Sequence, residues 1–251
     1  ERAASIGTLG VTTPDGSVST GLTTPDIVTF LANMSGLARE GVTHVAYEAS
    51  SHGLSQYRNE GLTVSASAFT NFGMMICAVV GPFSAAAFTN FSRDHLDYHG
   101  TMEAYFSAKL RLFTEVIAPG SPAVIHDAGD ASEWTAKAIA AAEARGLKVM
   151  SVGEGGTFLR LVSREPGQLG QLLHIEHEGE TRKVNLPLIG AYQAANALVS
   201  AGLAMATGVA PSTVLEALTR LQPVRGRLER AALNQAGAPV YVDYAHTPDA
   251  L

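Results

Sequence analysis

Alternating strand-like and helix-like runs in the first half of the chain most constrain its fold. Thr24-Pro25-Asp26 offers a capping hydroxyl, a proline and an acid at a helix start. Apolar residues with helical spacing follow at Ile27, Leu31, Met34, Leu37 and Ala38. Gly41 can end this helix, and residues 42–49 form an apolar run of strand length. The alternation predicts an α/β fold with a mostly parallel sheet flanked by helices.

The second half of the chain predicts more elements of this kind and a change of strand direction. A strand at 123–125 precedes an alanine-rich helix at 132–145, and helices follow at 192–207 and 211–221. Residues 158–186 alternate in polarity as antiparallel strands do, which predicts a small antiparallel edge on the sheet.

The domain organisation follows from these elements. We expect residues 1–224 to form a central domain and residues 225–251 to begin a C-terminal α/β domain, with its first strand at 239–243. The chain has no initiating Met and stops just after that strand. We therefore expect it to be a fragment of a longer protein.

A lysine lies on the apolar face of a helix predicted for residues 101–117. Thr101 can cap that helix, and Glu103 suits the positive end of its dipole. The residues three or four positions from Lys109 are Tyr105, Phe106, Leu112 and Phe113. A lysine there must extend its ammonium outward, pair with an anion or do chemistry. Potential metal ligands cluster just upstream, at Asp94, His95 and Asp97. Their presence favours a functional role for Lys109.

Glu48 and His95 each allow a structural interpretation beside a functional one. Glu48 lies at the carboxyl end of the strand predicted at 42–49, where open α/β sheets bind their ligands. It can also be an ordinary surface carboxylate. His95 can be a metal ligand or a hydrogen-bonded core histidine.

Five segments, in this order along the chain, resemble the Mur ligases. They are Leu22-Thr23-Thr24-Pro25; Glu48-Ala49-Ser50-Ser51-His52-Gly53-Leu54 with Gln56 and Arg58; Phe91-Ser92-Arg93-Asp94-His95-Leu96-Asp97-Tyr98-His99-Gly100-Thr101-Met102-Glu103 followed by Ala108-Lys109; Leu221-Gln222-Pro223-Val224-Arg225-Gly226-Arg227; and Val242-Asp243-Tyr244-Ala245-His246-Thr247-Pro248-Asp249-Ala250-Leu251. Within that family the likeness is greatest to the ligases that add the third amino acid of the peptidoglycan stem peptide. The resemblance implies an ATP-dependent amide ligase that extends UDP-N-acetylmuramoyl-L-alanyl-D-glutamate through an acyl phosphate. It leaves open whether diaminopimelate or lysine is added.

The resemblance also implies roles for individual residues. Glu48, His95 and Lys109 match the positions that hold Mg²⁺ in the family, with Lys109 carried as a carbamate. Carbamylation requires the neutral amine, which burial among aromatic rings favours. Residues that match the grip on the UDP-muramoyl-dipeptide are Thr23, Thr24, Ser50, Gln56 and Arg58. Residues that match contacts to ATP are Asn196, Arg227 and Asp243. Thr24 can alternatively be only a helix cap.

A short internal repeat interrupts the family pattern. Ala68-Phe69-Thr70-Asn71-Phe72 recurs nineteen residues later as Ala87-Phe88-Thr89-Asn90-Phe91. One copy satisfies the pattern, so residues 73–91 look like an insertion built on a near-duplication. We expect one copy to occupy the native strand and the surplus to loop out. The insertion is either functional or a neutral duplication.

One family feature is absent from this sequence. No Gly-Lys-Ser/Thr phosphate loop occurs in it, although the family uses one. We expect that loop just before Glu1, so this chain alone should be inactive or nearly so. The absence also leaves open a non-catalytic module that binds muramoyl peptides without ATP. Another Mur ligase or a folylpolyglutamate synthase-like enzyme is the enzymatic alternative. A zinc hydrolase built on His95 and His99 is a weaker alternative, because the sequence has no Glu beside the first histidine and no obvious third ligand.

Composition excludes several other classes of protein. The net charge of −6 gives no electrostatic case for binding nucleic acid. The single cysteine, Cys77, cannot form an internal disulfide and fits a reducing compartment. The longest apolar stretch, residues 74–83, is far shorter than the roughly 20 residues of a membrane helix. We therefore expect a cytoplasmic protein without a membrane span. We also expect it to be a monomer.

Overall fold

The structure, a computed structural model, describes residues 2–49, 56, 58, 67–69, 84–92, 99–243 and 245. These residues belong to two compact units. The first unit contains the described residues up to Arg58. The second contains residues 67–69 and every described residue from Ser84 onward.

The elements of the first unit are β1 (Ala3–Gly7), β2 (Gly10–Thr13), β3 (Gly16–Val18), α1 (Ile27–Arg39) and β4 (His44–Tyr47). The second unit begins with β5 (Ser67–Phe69), β6 (Ala86–Phe88), α2 (Met102–Arg111) and a π-helical turn (Leu112–Val116). The remaining elements are β7 (Pro122–His126), α3 (Glu133–Ala144), β8 (Lys148–Gly153), β9 (Leu159–Gly167), β10 (Gly170–His177), β11 (Glu180–Leu186), α4 (Ala191–Ala206), α5 (Pro211–Leu218), β12 (Glu229–Leu233) and β13 (Pro239–Val242).

The first unit is built on a four-stranded sheet in the order β3-β2-β1-β4. Strands β1 and β4 are parallel, as expected for a strand that follows a helix, whereas β1 to β3 form antiparallel hairpins. Those hairpins were not predicted from the sequence. Helix α1 packs on this sheet through Phe30 and Leu37, and the Phe30 ring meets Tyr47 edge-on at 5.0 Å.

Helix α1 forms where the apolar spacing predicted it, but two details differ. Asp26, not Thr24, is the N-cap, because its carboxylate accepts from the backbone N–H groups of Val28 and Thr29. The buried face is also rotated by about one residue. It centres on Phe30, and Leu31 and Ala38, both predicted to face inward, are exposed. Phe30 has the larger apolar side chain, so its burial stabilises the helix more.

A mostly parallel sheet with an antiparallel edge forms the second unit, which confirms the predicted fold class. Its order is β11-β10-β9-β8-β7-β6-β5. Neighbours from β5 to β9 are parallel, and β9, β10 and β11 form an antiparallel meander. Helix α4 packs on β7 and β8, where a Cβ at Gly202 would lie 2.8 Å from Val124. Glycine at this position therefore lets the helix lie close to the sheet.

The predicted helices of the second unit are confirmed with small shifts at their ends. Ser132 caps α3, and Gly146, with a φ of +75°, follows its end. Helix α5 ends at Leu218, three residues earlier than expected. Leu215 and Leu218 are buried as predicted, and Leu221 still packs against the same core from outside the helix. No helix within the described residues has the length and apolar character needed to cross a bilayer.

The two copies of the internal repeat lie next to each other in the sheet. Strand β5 from the first copy pairs with β6 from the second in parallel, and the partners are equivalent residues: Ala68 opposite Ala87 and Phe69 opposite Phe88. The expectation that the surplus copy loops out is therefore wrong for residues 67–69. The second copy holds the interior position between β5 and β7.

Deleting residues 73–91 is expected to leave the fold intact. The deletion joins Phe72 to Ser92, and the first copy can then take the place of β6, where only Ser67 replaces the buried Ala86. One buried hydroxyl costs roughly 1–3 kcal/mol if it finds no partner. We expect the thermal-unfolding midpoint of the full gene product to fall by no more than about 10 °C.

A deletion one residue shorter is the matched control. Removing residues 74–91 leaves Gly73 between the repeat and Ser92, which shifts the first copy out of step with the chain that follows. This variant should unfold at a lower temperature than the deletion of 73–91. Equal destabilisation of both variants would show that the first copy cannot replace β6.

Candidate functional site

Glu48 is fixed immediately after β4 by contacts to the end of β1. Its backbone N–H donates to the Ile6 carbonyl at 2.8 Å, which extends the β1–β4 ladder by one residue. A Cβ at Gly7 would lie 3.1 Å from the Glu48 Oε2 atom, so the glycine leaves room for the carboxylate. Strand β4 ends at Tyr47, two residues earlier than expected, and Glu48 stands at the carboxyl end of two parallel strands as predicted.

Thr8 orients the Glu48 carboxylate. Its backbone N–H donates to Oε2 at 3.2 Å, and its hydroxyl donates to the same oxygen at 2.9 Å. Because the single Thr8 hydroxyl proton is used there, the Thr23 hydroxyl donates in turn to Thr8 Oγ1 at 2.9 Å. Sequence reasoning missed Thr8. Its signal was a glycine at the end of a short strand followed by a hydroxyl residue, Gly7-Thr8.

The predicted substrate residues that the structure describes join the same network. The Thr24 hydroxyl donates to the Glu48 carbonyl at 2.9 Å, and its side chain is buried. Arg58 Nη1 donates to the Thr24 carbonyl at 2.6 Å, while Nη2 bonds the side-chain oxygen of Gln56. Thr24 is therefore not a helix cap but a link between Glu48 and Arg58. Ser50 lies outside the described residues.

Lys109 is buried in an aromatic pocket of the second unit. The residue is only 3% exposed, and Nζ lies 5.0 Å from the Tyr105 ring centroid and 5.7 Å from that of Phe91. Thr101 caps α2 as predicted, and the residues predicted to share the Lys109 face are all buried. Phe91, from the second repeat copy, also contacts Trp134. The ammonium therefore does not reach solvent, which removes the interpretation of an outward-extending lysine.

The helix that carries Lys109 changes geometry one turn later. Helix α2 ends at Arg111, and residues Leu112–Val116 form a π-helical turn within the span predicted as α-helix. Single π turns inside helices occur frequently at functional sites. His99 stacks at 5.0 Å on the Tyr105 ring, so it lies beside this pocket. His95 lies outside the described residues.

The three predicted nucleotide residues lie in the second unit, and the first turn of α4 contacts two of them. Asn196 is exposed on α4, one turn after Tyr192. The Tyr192 hydroxyl donates to Asp243 at 3.2 Å, and the Gln193 side chain donates to the Arg227 carbonyl at 3.4 Å. The structure therefore brings together groups that are separated by more than thirty residues along the chain.

The carboxyl ends of β6 and β7 form another polar edge in the second unit. The Thr89 hydroxyl donates to the Asn90 side-chain oxygen at 3.1 Å, and His126 ends β7. Burial holds the pKa of His126 below its usual range, and the charge of Asp127 offsets this only in part. His126 is therefore neutral at pH 7 and fits a structural role. Within the described residues, no group of three His, Cys, Asp or Glu side chains forms a metal cluster.

The fold and site define an α/β protein with a polar network at the carboxyl end of a parallel strand pair and a separate buried lysine. The sequence profile of the Mur ligase middle domain matches residues 1–74 and 78–204. The chain belongs to the Mur ligase family. The break in that match lies between the two repeat copies.

Individual relatives agree with this membership. The chain is 54% identical over 250 residues to the UDP-N-acetylmuramoyl-L-alanyl-D-glutamate–2,6-diaminopimelate ligase of Zymomonas mobilis, covering 100% of this chain and 47% of the relative. It is 47% identical over 253 residues to the ligase of the same name from Bradyrhizobium diazoefficiens, covering 99% and 47%. A solved structure of a ligase of that name is similar with a TM-score of 0.66 and 26% identity, over 100% of this chain and 46% of the other. The chain thus spans about half the length of the curated relatives that it matches.

Proposed function

We propose that this chain provides the central part of an ATP-dependent ligase that adds diaminopimelate to UDP-N-acetylmuramoyl-L-alanyl-D-glutamate in peptidoglycan synthesis. The observation that carries the proposal is the single hydrogen-bonded network that joins Glu48 to Thr23, Thr24 and Arg58. This network places a carboxylate that can bind a cation, Glu48, next to polar groups that can bind a charged substrate. The names of the relatives favour diaminopimelate over lysine.

In the proposed reaction the substrate carboxylate attacks the γ-phosphate of ATP, ADP leaves, and the amine of diaminopimelate then displaces phosphate. Glu48, His95 and carbamylated Lys109 are the proposed holders of Mg²⁺, which supplies charge neutralisation for phosphoryl transfer. The Glu48 carboxylate fits that role, because it is a hard oxygen donor whose orientation Thr8 fixes. Carbamylation would turn the buried Lys109 amine into an oxygen donor as well.

Substrate binding is assigned to the groups around Glu48. Arg58 supplies the positive charge that a phosphate or carboxylate requires, and Gln56 and Thr24 hold its guanidinium in place. Thr23 and Ser50 complete the proposed grip on the UDP-muramoyl-dipeptide. Asn196, Arg227 and Asp243 are the proposed contacts to ATP. We propose further that the protein acts as a cytoplasmic monomer, with residues 1–224 as the central domain and 225–251 as the start of the next.

Phosphate release by the full gene product tests the proposed function. With ATP, Mg²⁺ and UDP-N-acetylmuramoyl-L-alanyl-D-glutamate present, we expect diaminopimelate to stimulate release at least about tenfold more than L-lysine, a difference of about 1.4 kcal/mol between the two amines. Omitting the muramoyl dipeptide is the control for uncoupled ATP hydrolysis. Binding of the dipeptide without any phosphate release would support the non-catalytic binding module instead. Phosphate release that L-lysine stimulates and diaminopimelate does not would contradict the proposed choice of diaminopimelate.

A further inference from the structure

The first turn of α4 holds two residues from the chain that follows α5. Tyr192 donates its hydroxyl proton to Asp243 Oδ2 at 3.2 Å, just past the end of β13. The next residue, Gln193, donates through Nε2 to the Arg227 carbonyl at 3.4 Å. Two successive side chains of one helix thus bind two of the three proposed nucleotide contacts, and the third, Asn196, lies one turn further along.

Backbone packing fixes the turn that carries Arg227. Gly190 caps α4 with a φ of +96°, and a Cβ at this position would lie 2.6 Å from Leu228 Cδ1. Leu228 itself has a φ of +48°, which is strained for a leucine. The Glu229 carboxylate accepts from the Gly226 N–H at 2.8 Å and closes the turn. Because β12 pairs with β13 through Glu229 and Val242, the position of this turn also determines that of Asp243.

In the Tyr192–Asp243 contact, the phenol is the hydrogen-bond donor and the carboxylate is the acceptor. Partial burial of Tyr192, which is 41% exposed, and the neighbouring Asp243 carboxylate raise its pKa to about 12, although Arg227 opposes the shift. The phenol is therefore protonated at neutral pH and acts as a donor to the carboxylate. Of the two Asp243 carboxylate oxygens, only Oδ2 accepts a hydrogen bond from the described residues.

We propose that Tyr192 is a positioning residue of the nucleotide site, whose hydroxyl holds the Asp243 carboxylate beside Asn196 and Arg227. The assignment rests on the proposed ATP-dependent function. With Oδ2 held by the phenol, Oδ1 is directed to accept from a ribose hydroxyl, while the Arg227 guanidinium suits phosphate. Tyr192 itself acts through Asp243 and not on the reacting atoms.

Replacing Tyr192 with Phe tests this role, because it removes the hydroxyl and keeps the ring. In the full gene product with Mg²⁺, we expect the Kd of ADP measured by calorimetry to rise about 3–10-fold, the effect of one partly solvated hydrogen bond. The KM for ATP should rise by the same factor, with kcat within about twofold. In the Asp243→Asn background, adding Tyr192→Phe should change the Kd by less than about 1.5-fold.

Tyr241→Phe is the matched control, since it removes a phenol from β13 that makes no hydrogen bond within the described residues. Its Kd should equal that of the wild type. An unchanged Kd in Tyr192→Phe, beside weakened binding in Asp243→Asn, overturns the assignment and leaves the proposed function standing. Additive effects in the double variant, or a loss confined to kcat, also overturn it. A wild-type protein that binds no ADP overturns both the assignment and the proposed function.

Discussion

Replacing Lys109 with Met is expected to lower ligase activity by about 10²–10³-fold, while the protein still unfolds in one cooperative transition. The ammonium is almost completely buried, with two aromatic faces 5.0 and 5.7 Å from Nζ. Methionine has nearly the same length, and its flexible apolar side chain packs well against aromatic rings. The aromatic packing therefore tolerates the change. The ligase reaction should be impaired, because the thioether of methionine cannot form a carbamate or supply an oxygen ligand.

Lys137→Met is the matched control for the Lys109 variant. Lys137 also lies over an aromatic ring, with Nζ 4.3 Å from the Trp134 centroid, but half of its side chain is exposed and it pairs with Glu133 one turn away. This surface replacement should leave phosphate release unchanged. Nuclear magnetic resonance in [¹³C]bicarbonate should show a carbamate signal in the wild type that is absent from Lys109→Met. Activity within about threefold of the wild type would make Lys109 a purely structural residue.

Local sequence signals predicted the parts of the fold that depend on neighbouring residues. Thr101 and Glu103 predicted the start of α2, and the 3.6-residue period predicted that Lys109 shares a helix face with Tyr105 and Phe106. The period did not decide whether the ammonium of Lys109 is buried or extends to solvent. Ser132 and Gly146 bounded α3 in the same way. In each case, a cap or an apolar period determines the element within about four residues.

Contacts between distant segments could not be predicted in this way. The first three strands are three to five residues long and contain Gly and Thr, so they carry little apolar periodicity. The pairing of the two repeat copies depends on sheet register, and the Tyr192–Asp243 contact joins residues 51 positions apart. The orientation of α1 depended on a competition between Phe30 and Leu31 for the core, which the size of the Phe30 ring decided.

The candidate site likewise contains residues that sequence motifs predicted and contacts that only the structure shows. Glu48, Thr24 and Arg58 were found as separate motif positions, and the structure adds the hydrogen bonds that make them one network. Thr8 and Tyr192 belong to none of the five motifs. Each donates a hydrogen bond to a carboxylate that does belong to a motif, and only the structure shows this contact.

Replacing Glu48 with Gln is expected to lower ligase activity by about 10³-fold and to raise the Mg²⁺ concentration needed for half-maximal rate. An ion held by this carboxylate would stabilise the phosphoryl charge by roughly 4 kcal/mol, which corresponds to about three factors of ten. The amide of Gln keeps an oxygen that can accept from Thr8, and the main-chain bonds of residue 48 to Ile6 and Thr24 do not change. Folding should therefore be retained, and the lost charge alone is tested.

Glu40→Gln gives the matched control, because it makes the same change at an exposed carboxylate that follows α1 in the same unit. This variant should match the wild type in rate and in Mg²⁺ dependence. Thr8→Val in turn removes a hydrogen bond from the carboxylate but leaves its charge, so the rate should fall less than in Glu48→Gln, by about tenfold. If Glu48→Gln keeps the wild-type Mg²⁺ dependence, the carboxylate holds no metal and its bond to Thr8 serves only to close the end of the sheet.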